Sequence, residues 1–306
     1  MHFRQLRYFV KIVEAGSFSR AASLIHVAQP ALSQQIAELE ERMGVNLLQR
    51  SARGVRPTAA GEVLYREASS ILKQLEQLPG LVRSSNGVVQ GTVSLGIASL
   101  LGPTLVGSFV EACKSGLEKV SLKLAVSDSA ALRHKLGNQA LDLAVVFEDE
   151  LDSVFARQPL YRQRMYLFYP QVMGKLASSV SLSELAALPL ILPSPPNLAR
   201  GSLDRTFARA GLVPNLVAEV DDFSSILSTV RTGLGTSIFP KGDLSELGEG
   251  IAGPALLEPP LYMTVSILSS SDTPLTHAAE AVRGLLQGFI ESHVRRGQSP
   301  GAEWLN

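Results

Sequence analysis

Residues 17–50 read SFSRAASLIHVAQPALSQQIAELEERMGVNLLQR, a pattern of two short helices joined by a tight connection. Ser17 can cap the first helix, because its hydroxyl can accept one of the free backbone N–H groups at that end. Pro30 suits the first turn of the second helix, and Gly44 suits its end. Apolar residues also recur at helical spacing from Phe3 to Val13, so the sequence predicts three consecutive helices.

The helix from Pro30 to Gly44 has one apolar and one polar face. Leu32, Ile36 and Leu39 share the inward face. The outer face near the helix start then carries Gln29, Pro30, Ser33 and Gln34. In a helix-turn-helix such early positions lie against base edges in the major groove, where a glutamine can contact adenine through two hydrogen bonds. Serine and glutamine at a helix start also suit phosphate oxygens. The alternative is a three-helix unit whose polar face is only solvated.

A basic hairpin is predicted directly after this helix. Leu47 begins a strand-like stretch that Pro57 ends, and it carries Arg50, Arg53 and Arg56. Arginines on a thin loop can follow the DNA backbone and enter a narrow minor groove. Residues 1–58 hold eight of the 28 basic residues but only four of the 28 acidic ones. A basic head on an acidic body fits contact with a polyanion, so the sequence predicts a DNA-binding domain over residues 1–58.

A long helix is expected after Thr58, which is itself grouped with the DNA-contacting candidates and can cap that helix. Apolar residues follow at alternating spacings of four and three, namely Leu64, Ala68, Ile71, Leu75, Leu78 and Val82. This spacing is typical of helices that pair between two chains. The alternative is a helix packed on its own domain. Pro79 is expected to end or kink the helix, and residues 59–90 form the predicted linker.

From residue 91 onward, predicted strands alternate with predicted helices, which favours an α/β domain with a parallel sheet. The predicted strands are Thr92–Ile97, Val120–Ser127, Asp142–Phe147, Arg164–Tyr169, Leu188–Leu192, Leu216–Val220, Thr236–Phe239 and Tyr262–Leu268. Two sets of these units predict two lobes with a cleft between them. We assign residues 91–161 and 268–294 to lobe I, and residues 162–267 to lobe II. The polar tail from Arg295 to residue 306 is expected to be mobile.

Polar residues at the strand ends are candidates for a ligand site in this cleft. They are Ser99, Ser127, Ser129, Phe147, Asn197 and Ser202. Hydroxyls and backbone N–H groups at helix starts suit an anionic ligand, although each residue also fits an ordinary cap or loop. Leu100 and Leu101 lie where a polar site would have small polar residues. An apolar effector, or none, therefore remains an alternative.

Several classes of protein do not fit the sequence. A single cysteine, Cys113, excludes an internal disulfide, and the five histidines are scattered without metal-ligand spacing. The sequence holds no G-x-S-x-G motif and no P-loop, so we expect no enzyme, no cofactor and no metal. The most apolar segment, Leu185–Leu192, is too short to span a bilayer. No apolar signal-peptide stretch follows the start, so a cytoplasmic location without membrane contact is expected.

The combined motifs resemble the LysR-type transcriptional regulators. The similarity is carried by FSRAA at residues 18–22, QPALSQQI at 29–36, GVNLLQR at 44–50 and PTAAG at 57–61. Within this family, residues 1–13 resemble the nitrogen assimilation control regulators. The family's DNA-contacting positions match Gln29, Pro30, Ser33, Gln34 and Arg53. Many members carry arginine at the position of Gln34, which puts a guanine or phosphate contact there in doubt.

The resemblance implies a winged helix-turn-helix joined by a linker helix to a periplasmic-binding-protein-like effector domain. It also implies a homodimer or homotetramer built through the linker, with a small inducer in the cleft, and it makes an inducer-independent member conceivable. The predicted function is regulation of promoters, in which two helices read half-sites about 34–36 Å apart and influence RNA polymerase. The alternative is a cytoplasmic small-molecule-binding module whose head only dimerises. The sequence does not distinguish activation from repression.

Overall fold

The computed structural model describes residues 2–51, 54–84, 89–148, 154–241 and 249–305, without the side chains at 76, 77 and 80–84. Arg53, one of the predicted DNA-contacting residues, lies outside the described residues. The chain divides into two compact units, residues 1–86 with 135–140 and residues 87–134 with 141–306. No helix within the described ranges is long and apolar enough to cross a membrane.

The first unit begins with the three predicted helices and the hairpin. Its elements are α1 (Phe3–Ala15), α2 (Phe18–Leu24), α3 (Gln29–Met43), β1 (Leu48–Ser51), β2 (Gly54–Pro57) and α4 (Ala59–Ser84). Ser17 caps α2 by accepting the backbone N–H of Arg20. Gly16 and Gly44 end α1 and α3 with φ angles of 63° and 69°, in the left-handed region that glycine adopts without steric cost. The predicted helix boundaries are confirmed to within two residues.

The core of the first unit forms where α1, α2 and α3 cross. Leu32, Ile36 and Leu39 of α3 are completely buried there, as the helical spacing predicts. The hairpin is tied to the turn after α1, because the backbone N–H of Val55 donates to the carbonyl oxygen of Gly16 at 2.9 Å. A side chain at Gly54 would bring its Cβ within 2.7 Å of that same oxygen, so this close approach requires glycine.

The apolar stripe of α4 is divided between two environments. Ala68 is 1% exposed and belongs to the core of the first unit, with Leu64 packed against it. For these two residues the alternative of packing on their own domain is correct, since Ala68 has almost no surface left for another chain. Ile71, Leu75 and Leu78 are instead 43%, 45% and 52% exposed. The helix runs past Pro79 to Ser84, so the expectation that it could end at the proline is wrong.

The second unit alternates strands and helices. Its strands are β3 (Gly91–Ala98), β4 (Val120–Ser127), β5 (Leu143–Glu148), β6 (Phe155–Pro170), β7 (Ser179–Ser181), β8 (Leu190–Leu192), β9 (Leu216–Glu219), β10 (Ser237–Pro240), β11 (Ile251–Glu258), β12 (Tyr262–Ser270) and β13 (Ala302–Trp304). Its helices are α5 (Gly102–Gly116), α6 (Ser129–Gly137, of which residues 129–134 fall in this unit), α7 (Leu182–Ala187), α8 (Leu198–Arg209), α9 (Phe223–Arg231) and α10 (His277–Arg295).

Strand β6 connects the two lobes of this unit. Within the described residues the main sheet has the order β4-β3-β5-β12-β6-β11-β7, and β10 and β13 also pair with β6. The first part of β6, up to Arg164, pairs with β12, and the part from Met165 onward pairs with β10 and β11. Strand β12 pairs with β5 from Thr264 to Ser269, so the chain has already returned to lobe I before residue 268, where the sequence placed that boundary.

The sheet also contains three strands that the sequence did not predict, namely β7, β11 and β13. Strand β11 contains Gly253 and Pro254, which usually mark a break in a strand, and the structure accommodates them where the pairing with β6 shifts register between Ala252 and Ala255. The tail is ordered rather than mobile, because β13 pairs with β6 and the backbone N–H of Leu305 donates to Leu160 at 2.9 Å. The expectation of a mobile tail is therefore wrong for residues 302–305.

Candidate nucleic-acid interface and effector cleft

The start of α3 presents a polar surface to solvent. Gln29, Pro30 and Gln34 are exposed and Ser33 is half-buried, whereas Leu32 on the opposite face is completely buried. The apolar face of α3 is fixed in the core by this packing, so its polar face has to point outward. This is the orientation that a helix needs to lie in a major groove of DNA.

Arg50 joins the hairpin to this surface. Its Nη2 donates to the Ser33 hydroxyl at 3.3 Å, and its guanidinium carbon lies 4.3 Å from the centroid of the Phe18 ring. The contact therefore holds β1 against the starts of both α2 and α3. The Arg50 side chain still remains exposed, which leaves guanidinium donors for a phosphate oxygen.

Gln34 has a partner that the sequence analysis missed. Its Nε2 donates to Oε1 of Glu38 at 3.1 Å, and Gln35 donates to the other oxygen of Glu38 at 2.9 Å. One N–H of the Gln34 amide is thus used within the helix, and the amide is held in one orientation. Spacing of four residues on a helix could have indicated this pair, because residues i and i+4 lie side by side.

Two further predicted DNA-contacting residues, Arg56 and Thr58, lie on or beside the hairpin. Arg56 is exposed on β2, directly across from Gln49 of β1. Thr58 instead has a structural role, since its hydroxyl donates to the Asn46 carbonyl at 2.8 Å and accepts the N–H of Gly61 at 3.0 Å. These bonds use its donor and one acceptor position, so Thr58 has little left to offer to a phosphate.

A cavity lies between the lobes of the second unit and contains about 800 Å³ of empty space, part of it open to solvent. Four of the six predicted effector residues line it, namely Ser99, Ser129, Phe147 and Asn197. Ser127 and Ser202 are not among its described lining residues. Ser127 ends β4, where its hydroxyl lies 3.5 Å from Asp128, and Ser202 lies within α8.

The polar candidates in this cavity are partly used by the fold. The Ser129 hydroxyl, which is buried, accepts the backbone N–H of Phe147 at 3.1 Å. Asn197 caps α8 by accepting the backbone N–H of Arg200 at 3.1 Å. Asn197 is therefore a structural cap, as the alternative interpretation expects, and Ser129 instead holds the end of β5; both residues also line the cavity.

Charged residues that the sequence analysis did not select also line the cavity. They are Asp128, Arg200 and Asp221. The Arg200 side chain is only 11% exposed, and it pairs with Asp204 and with Glu219, each at 2.8 Å. Its partners lie 4 and 19 residues away along the chain, and the pairing with Glu219 depends on how α8 packs beside β9. No local sequence signal identifies such a contact.

Much of the remaining cavity wall is apolar. Phe239 stacks on Phe168 with a centroid distance of 4.0 Å, and Phe223 meets Phe239 edge to face at 5.2 Å. Leu100 and Ile226 complete this side of the cavity. The walls therefore suit the apolar body of a ligand.

Two known protein families match this chain, one over the helix-turn-helix and one over the domain that contains the cavity. The family described as "Bacterial regulatory helix-turn-helix protein, lysR family" matches residues 3–62, and the family described as "LysR substrate binding domain" matches residues 86–290. This chain belongs to the LysR family of transcriptional regulators. The regulator is thus a DNA-binding protein with an effector-binding domain, and the resemblance drawn from its motifs is confirmed.

Several known proteins are similar to this chain over nearly its full length. The nitrogen assimilation regulatory protein nac of Escherichia coli is 32% identical over 297 residues, which cover 96% of this chain and 97% of that protein. The corresponding protein of Klebsiella aerogenes is 31% identical and covers 95% of both chains. Among solved structures, CbnR in complex with its target DNA has a TM-score of 0.66 at 22% identity, covering 97% of this chain and 99% of that one. CbnR alone gives a TM-score of 0.68 at 21% identity, covering 94% and 99%.

Proposed function

We propose that this regulator binds a promoter site through α3 and the hairpin β1–β2. The observation that carries the proposal is the outward polar face at the start of α3, with Gln34 exposed and Arg50 bonded to Ser33 beside it. In this arrangement Gln34 contacts a base edge, while Gln29, Ser33 and Arg50 contact phosphates. Arg56 extends the basic surface along the DNA backbone, and Arg53 is proposed as a DNA-contacting residue from the sequence motif alone. The structure of CbnR bound to its target DNA shows a similar fold on DNA.

The regulator acts as a dimer or tetramer, and the exposed half of the α4 stripe forms the interface between chains. Ile71, Leu75 and Leu78 are apolar, recur at spacings of four and three, and have about half of their surface in water. Pairing with a second copy would remove this surface from water. Two α3 helices would then be presented to half-sites on one side of the duplex.

The genes under control are those of nitrogen metabolism. This proposal is supported by the two nitrogen assimilation regulatory proteins, which match at 31–32% identity over nearly the full chain. The bound regulator would act on RNA polymerase at the promoter. Because its target is chromosomal DNA, we place it in the bacterial cytoplasm, without contact to a membrane.

The alternative of a ligand-binding module that lacks sequence-specific DNA binding predicts a different binding curve. The test is a titration of the full-length regulator with a duplex from its own promoter and with a scrambled duplex, at the same salt concentration. We expect the promoter to bind at least about 10³-fold more tightly, the lower end for specific DNA recognition. Equal affinities that both disappear with added salt would refute promoter recognition and support the alternative.

A further inference from the structure

We propose that the interlobe cavity binds an organic cation, with an apolar body between the lobes and a protonated amine against Asp128 and Asp221. The proposal rests on the cavity being the effector site of the proposed regulator. It also replaces the anionic ligand that the sequence indicates. Three observations carry the proposal. Acceptors of the protein already occupy helix starts around the cavity, Arg200 is already paired with carboxylates, and part of the wall is apolar.

Three of the helix starts around the cavity, those of α6, α8 and α9, already hold acceptors from the protein itself, whereas the turn from Ser99 to Leu101 before α5 has no side-chain cap. Asp128 accepts the backbone N–H of Ala131 at 2.8 Å at the start of α6. Asn197 caps α8, and Asp222 caps α9 by accepting the N–H of Ser225 at 2.8 Å. An anion would normally occupy these positions. Because two of the three caps are carboxylates, a further anion there would meet like charge.

Arg200, the basic residue in the wall, cannot offset the repulsion between these carboxylates and an anionic ligand. Arg200 is the only basic residue among the described residues that line the cavity, and its charge is shared by the carboxylates of Asp204 and Glu219. Its Nη1 also donates to the carbonyl oxygen of Pro193 at 3.1 Å. An anionic ligand would have to break at least one of these bonds, which leaves a carboxylate beside the cavity without its partner.

The acidic residues of the wall, in contrast, can accept more hydrogen bonds. Asp221 is exposed and uses Oδ1 to accept the N–H of Ser194 at 2.8 Å. A carboxylate has about four acceptor positions, so Asp128 and Asp221 both retain capacity for an ammonium group. Phe223, Phe239 and Leu100 provide the apolar surface for the rest of the ligand. A hydrogen bond to a charged group adds about 1.5–3 kcal/mol, which corresponds to at least about tenfold in affinity.

The test uses three probes with the same phenylpropyl body, titrated calorimetrically into the full-length regulator at neutral pH. They are 3-phenylpropylamine, 3-phenylpropan-1-ol and 3-phenylpropanoate. We expect the amine to bind at least about tenfold more tightly than the alcohol, and the carboxylate to bind most weakly. Equal affinities, a preference for the carboxylate, or no heat with any probe would each overturn the proposal.

Variants locate the site of the cation. Asp128→Asn and Asp221→Asn keep an oxygen for their backbone N–H bonds but remove the charge, so each should weaken the amine and leave the alcohol unchanged. Asp222→Asn is the matched control, because it removes the same charge from a cap that does not line the cavity. If Asp222→Asn weakens the amine as much as Asp221→Asn does, the proposed contact is wrong.

A variant with the opposite effect separates the charge argument from simple damage to the cavity. Glu219→Gln removes one acceptor charge from Arg200, so the carboxylate probe should bind more tightly and the amine should not. Unchanged thermal midpoints without ligand show that the variants are folded. The probe affinities are measured without DNA, so loss of promoter binding would refute the proposed function and leave this result in place.

Discussion

The contact of Arg50 with Ser33 and Phe18 leads to a prediction with two separable parts. Arg50→Ala removes a hydrogen bond of 3.3 Å and a cation–π contact of 4.3 Å. An exposed cation–π contact contributes about 0.5–1 kcal/mol, and a hydrogen bond about 0.5–1.5 kcal/mol. We therefore expect the free energy of opening of α3 to decrease by about 1–2 kcal/mol. Hydrogen exchange of the buried amides of α3 in the full-length regulator measures this change.

The second part concerns DNA. If Arg50 also contacts one phosphate, its removal lowers the slope of log affinity against log salt by about 0.9. Arg50→Lys provides the control, since lysine keeps the charge but has no planar group to stack on Phe18. The lysine variant should therefore lose part of the stability of α3 and retain the salt slope.

Fluorescence anisotropy of a labelled promoter duplex, from about 50 to about 200 mM salt, gives this slope. A wild-type slope in Arg50→Ala would show that Arg50 does not contact a phosphate. An equal loss of slope in Arg50→Lys would show that orientation, and not charge, is responsible. Unchanged exchange of α3 in both variants would refute the structural part of the reasoning.

Three further predictions concern other parts of the molecule. Glu148 is buried and bonded to Arg157 and Ser266, so Glu148→Ala should lower the free energy of unfolding by about 3 kcal/mol. Urea unfolding followed by the fluorescence of the single tryptophan, in β13, measures this change, and a loss below about 0.5 kcal/mol, as at an exposed pair, would refute it. Burial lowers the pKa of His293, so the folded state favours the neutral ring and the free energy of unfolding should decrease as the pH falls below about 6.5. The decrease should be smaller in His293→Phe, and equal pH profiles of the two proteins would contradict this prediction. Ile71→Lys with Leu75→Lys should reduce the oligomer seen by analytical ultracentrifugation, whereas a wild-type mass would exclude the α4 interface.

The features that could be predicted from the sequence are those that local contacts determine. Ser17 caps α2 and Gly44 ends α3, as the sequence predicts. Each signal lies within three or four residues of its partner. The inward face of α3 follows equally well from helical spacing, and these features together identified the DNA-binding domain.

The features that could not be predicted depend on residues far apart in the chain. Ala302–Trp304 has no pattern of its own and becomes a strand because β6 offers it an edge. The charge of Arg200 in the cavity wall is neutralised by its pairing with Glu219, which lies 19 residues further along the chain. The bond from Arg50 to Ser33 likewise joins residues 17 apart, on different elements. Helical spacing alone also could not show that Ala68 faces the core while Leu75 faces solvent.

The most direct test of the account is the base preference of the regulator with and without the Gln34 side chain. Binding to a library in which each promoter position is varied should show two half-sites about one helical turn apart. Gln34→Ala should relax the preference at one position in each half-site by about 1–3 kcal/mol, while Gln35→Ala should leave it unchanged. An identical preference profile for wild type and Gln34→Ala would contradict the claim that the outer face of α3 reads the DNA.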